Sequence, residues 1–102
     1  MENDAKERIY SALNAIPRGC ITSYGKVAEY AQLPHGARLV GRLLSQLPKD
    51  TTLPWHRVLK ANGQIAFPPD SAAFIRQKKL LELEGVTICN SKVKLSDFLW
   101  QP

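Results

Sequence analysis

Thr22-Ser23-Tyr24-Gly25-Lys26-Val27-Ala28-Glu29-Tyr30-Ala31-Gln32-Leu33-Pro34-His35-Gly36-Ala37-Arg38-Leu39-Val40-Gly41-Arg42-Leu43-Leu44 holds two short helical patterns joined by one turn. Thr22-Ser23 supplies the hydroxyls that cap a helix start, and Val27, Ala28 and Ala31 recur at helical spacing behind them. Leu33-Pro34-His35-Gly36 then breaks the pattern, and a second helix is expected from about Ala37 to Gln46, before Pro48. Leu39, Val40, Leu43, Leu44 and Leu47 form its apolar stripe, while Arg38, Arg42 and Ser45 point elsewhere. Two helices in this relation make a helix-turn-helix, with the second as its recognition helix. Taken alone, a basic face on a core helix reads equally as a solvated surface.

Working outward, Asp4 followed three residues later by Glu7 has the form of a capping box for a helix carrying Ile9, Ala12, Leu13 and Ile16 on one face, closed by Pro17-Arg18-Gly19. Downstream, Val58-Leu59 and Gln64-Ile65-Ala66 flank Lys60-Ala61-Asn62-Gly63, whose Asn-Gly pair predicts a β-hairpin in the position of a wing. Phe67-Pro68-Pro69 is a stiff connection to Asp70, the expected cap of a helix reaching about Glu84 with Gly85 as its stop. Val86-Thr87-Ile88 and Lys92-Val93-Lys94-Leu95 read as two short strands or as one strand and a coil, and Ser96 to Trp100 as a last helical turn docked by its aromatics. The fold class expected is α+β, mainly helical: one winged helix-turn-helix domain over residues 1–102.

A chain of 102 residues supports one modest core, and its 44% apolar and 23% charged residues are those of an ordinary globular protein. No long apolar run or signal-peptide pattern is present, so a cytoplasmic protein without a membrane partner is expected. A net charge of +5 favours polyanionic partners. Cys20 and Cys89 give neither a disulfide framework nor zinc-site spacing, and no metal or cofactor is expected.

Pro54-Trp55-His56-Arg57-Val58 has the outline of a reactive loop without a reactive atom. Pro54 presets the backbone of a tight turn, and His56 is the side chain best suited to accept a thiol proton near neutral pH. Trp55 stands where the nucleophile belongs, and an indole offers neither an acidic proton nor an attacking lone pair. Such a loop binds without reacting.

Taken together, Ile21-Thr22-Ser23-Tyr24-Gly25-Lys26-Val27-Ala28, Ala37-Arg38-Leu39-Val40-Gly41, Leu53-Pro54-Trp55-His56-Arg57-Val58, Asn62-Gly63 and Leu83-Glu84-Gly85 resemble, in order, the DNA-binding domain of the O6-alkylguanine-DNA alkyltransferases. The resemblance is closer still to the alkyltransferase-like proteins, in which Trp commonly replaces the acceptor Cys. It implies a non-enzymatic sensor that binds O6-alkylguanine in duplex DNA, flips the base into a pocket at Trp55, leaves the alkyl group in place and marks the lesion for nucleotide excision repair. It further implies a monomer that associates with the nucleoid when bound to DNA and works with excision-repair proteins.

Carried over by position, the resemblance makes Arg38 the finger that fills the gap left by the extruded nucleotide, and Tyr24 the side chain that helps rotate that nucleotide outward. Ala37 and Gly41 become the small residues that let the recognition helix approach the DNA backbone; Ser23 and Arg42 are expected DNA contacts only as generic phosphate candidates. Lys26, Lys49 and His35 are generic phosphate candidates. Tyr24, Trp55, His56 and Val58 would form the alkylguanine pocket, with main-chain carbonyls at Trp55 and Val58 accepting from the guanine amino group. Pro54, His56, Arg57 and Glu84 would support the loop, since the Glu and His of the enzymes' proton relay have no thiol left to ionise. Arg76, Lys78 and Lys79 read as a solvent face.

The chain departs from the enzymes at Leu47-Pro48, where they carry an Asn hinge, and at the longer Phe67-Pro68-Pro69-Asp70-Ser71 stretch. Two other functions stay open at this point: a sequence-specific winged-helix regulator, and a residual alkyltransferase that uses Cys20 or Cys89.

Overall fold

The computed structural model describes residues 2–102, with side chains from Asp4 onward. Helix α1 (Glu2–Ala15) leads into strand β1 (Thr22–Ser23), helix α2 (Tyr24–Tyr30) and helix α3 (Ala37–Ser45). A 3₁₀ turn (Trp55–Arg57), strand β2 (Val58–Leu59), helix α4 (Ala72–Leu83), strands β3 (Ile88–Cys89) and β4 (Lys92–Val93) and a single-turn helix α5 (Leu95–Phe98) follow. The mainly helical α+β arrangement with a helix-turn-helix at its centre is as expected.

The α2–α3 unit packs because its apolar positions face one way. Ile9, Leu13, Val27 and Val40 are fully buried together, and Leu39, Leu43 and Leu44 close over them. Each such side chain contributes about 1.5–3 kcal/mol by leaving water. Ser23 caps α2, its Oγ accepting from Lys26 N at 3.1 Å. The turn between the helices places Gln32 and His35 at positive φ (60° and 63°). It also requires Gly36, since a Cβ there would lie 2.8 Å from the Leu33 carbonyl oxygen.

A second apolar cluster, Ile21, Leu59, Ile65, Phe74, Leu81, Val86 and Val93, sits beneath α4 and the strands. The two clusters meet where β1 and β2 pair in parallel, Thr22 with Val58 and Ser23 with Leu59. The chain's end locks the same place: Ile21 N donates to Phe98 O at 2.9 Å and Trp100 N to Ile21 O at 2.8 Å, while the Trp100 ring packs edge-on against Tyr30 at 5.1 Å.

The structure corrects several local expectations. Asp4 does not cap α1, which already begins at Glu2; it pairs with Arg8 one turn on, at 3.2 Å. Ser71, one residue past Asp70, caps α4, accepting from Phe74 N at 3.2 Å. The Asn62-Gly63 turn forms, with Gly63 N donating to Lys60 O at 2.8 Å and Lys60 N to Gln64 O at 2.9 Å, but its flanks do not extend into a ladder. Val58-Leu59 pairs with β1 because that pairing buries both residues completely, and Gln64 bridges to Lys92. The β-hairpin lies instead at β3 and β4, turned by Asn90 and Ser91, both left-handed (φ 52° and 64°) in the manner of a type I′ turn. Gly63 is the point where β4 crosses the Asn-Gly turn: Val93 N donates to Gly63 O at 2.9 Å, and a Cβ on Gly63 would stand 2.5 Å from Val93 O.

Candidate nucleic-acid interface

Pro54 enters the 3₁₀ turn at φ −80°, and Arg57 N returns to Pro54 O at 3.2 Å, so three consecutive side chains fan out from one tight backbone turn. Trp55 is presented to the surface, whereas His56 and Val58 turn inward. Helix α4 holds the turn from below. Buried Gln77 donates its two Nε2 hydrogens to the carbonyls of His56 and Val58, both at 3.0 Å, and so clamps each end of the turn to one side chain.

Glu84, at the end of α4, is the second anchor. Its carboxylate accepts from His56 Nε2 at 2.7 Å, from Arg57 Nη2 at 2.8 Å and Nε at 3.0 Å, and from Gly19 N at 2.9 Å. Arg57 Nη1 continues to Ile16 O at 2.8 Å, tying the loop to the end of α1. Burial pushes the Glu84 carboxyl up, but the hydrogen bonds from Arg57, Gly19 and His56 outweigh it and hold the group at about 2. Burial lowers His56 below its usual range despite the neighbouring carboxylate, so the imidazole is neutral near pH 7. A carboxylate only accepts, which assigns the imidazole proton to Nε2. The pair is therefore a satisfied structural link between loop and helix.

Above the turn lies an open cavity of about 410 Å³, lined by Tyr24, Ala37, Arg38, Gly41, Leu44, Ser45, Trp55, Ala66 and Phe67. Ala37, Arg38, Gly41, Leu44 and Ser45 are one face of α3, repeating at three- and four-residue intervals. Small residues at 37 and 41 leave the space: a Cβ on Gly41 would reach the Tyr24 ring at 4.0 Å. Burial pushes the Tyr24 hydroxyl up, so it remains a neutral donor. Arg38 stands exposed at the rim, and Arg42 follows it one turn along α3. Trp55 forms the far wall edge-on to Phe67, with ring centroids 6.4 Å apart.

Of the residues singled out in sequence, Tyr24, Ala37, Arg38, Gly41 and Trp55 converge on this cavity. His56 and Val58 do not line it. They lie behind the Trp55 wall, and the Val58 carbonyl is engaged by Gln77 rather than turned to the cavity. Pro54, His56, Arg57 and Glu84 do gather as the loop's support. Ser23 is occupied in capping α2.

Gln77 escaped the sequence reading because one glutamine in a helix gives no sign of where its amide points. Arg76 is exposed, as a solvent face requires, and its guanidinium carbon also lies 5.3 Å from the centre of the Trp55 ring.

Residues 4–86 match the family model described as 6-O-methylguanine DNA methyltransferase, DNA binding domain. The chain belongs to this family. Within it the chain is similar to Alkyltransferase-like protein 1 of Schizosaccharomyces pombe, 38% identical over 93% of each chain. It is also similar to the DNA base-flipping protein of Escherichia coli, 40% identical over 97% of this chain and 76% of that one. In structure it is similar to S. pombe Atl1 crystallised with damaged DNA containing O6-carboxymethylguanine, at a TM-score of 0.90 and 36% identity over 100% of this chain and 98% of that one.

As an alkyltransferase-like member, the chain presents an indole at the head of its Pro-x-His-Arg-Val loop, at Trp55. Neither cysteine lines the cavity. Cys20 packs against the α1–α3 core, and Cys89 is exposed on β3 beside Asn62 and Lys92. Among the described residues no cluster of His, Cys, Asp and Glu could hold a metal ion, and no helix is long and apolar enough to cross a membrane.

Proposed function

We propose that this protein is a reader of O6-alkylguanine in duplex DNA: it flips the modified base into the cavity at Trp55, leaves the alkyl group attached, acts as a monomer and marks the site for nucleotide excision repair. The observation that carries the reading is that Trp55 and Arg38 line one cavity along the recognition helix. The similarity to a DNA base-flipping protein and to Atl1 bound to DNA containing O6-carboxymethylguanine supports it.

The energetics agree. Extruding a nucleotide costs a few kcal/mol, and an alkylated guanine pairs weakly enough to lower that cost. Arg38 enters the vacated space, Tyr24 crowds the backbone of the target nucleotide, and Ala37 and Gly41 let α3 come close to the groove. In the minor groove, insertion and bending do the work that base reading does elsewhere, so little sequence preference follows. Stacking on Trp55 and Phe67 returns about 1–3 kcal/mol per base, by analogy with aromatic platforms for single strands. Ser23, Arg42, Lys26 and Lys49 contact phosphates, so log affinity falls linearly with log salt.

The test is a duplex with one O6-methylguanine compared with its unmodified twin. The proposal requires tighter binding to the modified duplex and full recovery of the methylated base afterwards. A sequence-specific regulator would prefer one undamaged site and ignore the lesion, and transfer to Cys20 or Cys89 would leave label on the protein. Recruitment is tested by adding excision-repair damage-recognition proteins to the complex, where the proposal requires a ternary species that unmodified DNA does not give.

A further inference from the structure

Helix α4 has two sharply different faces. Phe74 and Leu81 are buried in the second apolar cluster, and Gln77, buried with them, fixes the helix to the 3₁₀ turn through the carbonyls of His56 and Val58. With that rotation set, Ala72, Ile75, Arg76, Lys79, Glu82 and Leu83 fall on the opposite side and are exposed. Ile75 is 59% exposed and Leu83 66%, two of the three large hydrophobic side chains that stand in solvent among the described residues. They lie two turns apart on one stripe, about 12 Å along the helix axis.

The charges on this stripe are not balanced from within. Lys79 stands midway between Ile75 and Leu83, Arg76 adjoins Ile75, and Arg18 reaches the far end, its Nη2 donating to the Leu83 carbonyl at 3.1 Å. Glu82 is the one acid on the stripe, and among the described residues no carboxylate forms an ion pair with Arg18, Arg76 or Lys79. A lone apolar residue at a surface is ordinary, but two in helical register, each bordered by unpaired cations, define the surface that would complement them: apolar at the same spacing and acidic around it. Ile75, Lys79 and Leu83 stand apart from the side chains that line the 410 Å³ cavity. The stripe nevertheless begins at the loop, since Arg76 lies 5.3 Å from the centre of the Trp55 ring.

We propose that the outer face of α4 is the surface that holds the recruited excision-repair protein, and that it takes an acidic amphipathic helix of that partner. The proposal rests on the recruitment reading and names the surface and the chemistry through which recruitment occurs. Ile75, Lys79 and Leu83 repeat every four residues and form the ridge that a second helix receives in a groove between its own side chains. Ile75 and Leu83 supply the apolar contact, and Lys79, Arg76 and Arg18 face the partner's carboxylates. The cations are exposed, so they set encounter rate and register more than affinity, and the two apolar side chains carry most of the binding.

The experiment adds excision-repair damage-recognition proteins to the complex with an O6-methylguanine duplex and measures both the ternary species and the binary affinity for that duplex, in the unaltered protein, I75S/L83S and K79E. All three positions are exposed, so thermal melts of the variants should match the unaltered protein. The expected result is a ternary affinity lower by about tenfold in I75S/L83S and by about threefold in K79E, with the binary affinity of I75S/L83S unchanged. A ternary species that I75S/L83S keeps at full strength overturns the surface. So does a binary loss as large as the ternary one, which assigns the stripe to DNA, and so does a dimer that I75S/L83S converts to monomer, which assigns it to a second copy of this chain. Failure of the recruitment reading looks different: the unaltered protein would give no ternary species at all, and the surface would fall with it.

Discussion

His56 donates from Nε2 to Glu84 Oε2 at 2.7 Å while Arg57, the next residue, donates from Nη2 to the same oxygen at 2.8 Å and from Nε to Oε1 at 3.0 Å. A single acidic side chain thus orients two consecutive residues of the loop, the two that directly follow half-buried Trp55. Pairing of this quality in a buried setting is costly to break from one side, because the partner charge stays behind.

Glu84→Gln should therefore lower stability by about 3 kcal/mol, with the Arg57 guanidinium left uncompensated. Urea unfolding followed by circular dichroism measures this directly. A loss under about 0.5 kcal/mol, the range of ordinary surface substitutions, would mean that Glu84 does not anchor the loop.

Acid should act on the same cluster in two stages. His56 has a folded pKa below its unfolded value, so the unfolded chain binds its proton first, and stability declines as pH falls below about 6.5. Glu84, held at about 2 in the folded protein against 4.5 unfolded, contributes stability that is present above 4.5 and lost as pH falls toward 2. Melting temperature should fall across both windows. In Glu84→Gln the lower window should flatten, and an unchanged acid profile there would contradict the assignment.

Gln77→Leu should cost about 1–3 kcal/mol, because the carbonyls of His56 and Val58 lose their buried donor. It should also loosen the seat of Trp55, seen as a red shift of tryptophan emission. Neither change would be expected if the amide were incidental.

How much of this was open to sequence depends on the kind of interaction. The α2–α3 unit was legible because periodicity, a capping serine and a Pro-His-Gly turn agree locally, and the loop support at His56, Arg57 and Glu84 was reached through resemblance. The strand pairing was not legible: Val58-Leu59 has a strong Asn-Gly turn beside it, yet joins Thr22-Ser23, because burial of Thr22, Val58 and Leu59 between two clusters outweighs a local turn preference. Asn90-Ser91 lacks the glycine that advertises a tight hairpin, so the turn was passed over. The Gln77 clamp and the contact of Arg76 with Trp55 were missed because they depend on the rotation of α4, which no local pattern sets.

Arg38→Ala should weaken lesion binding by about tenfold, in the range of a lost charge-assisted contact, and should abolish flipping. A 2-aminopurine reporter next to the lesion should brighten on binding the unaltered protein and stay dim with the variant. Equal brightening would remove Arg38 from the finger position.

The central claim is that an indole stands in the seat of an alkyl acceptor and reads the lesion instead of repairing it. Trp55→Ala tests it most directly, in paired titrations of O6-methylguanine and unmodified duplexes. The account predicts that the ratio of the two affinities collapses while binding to unmodified DNA changes little; a loss of equal size on both duplexes, with the ratio intact, would contradict it.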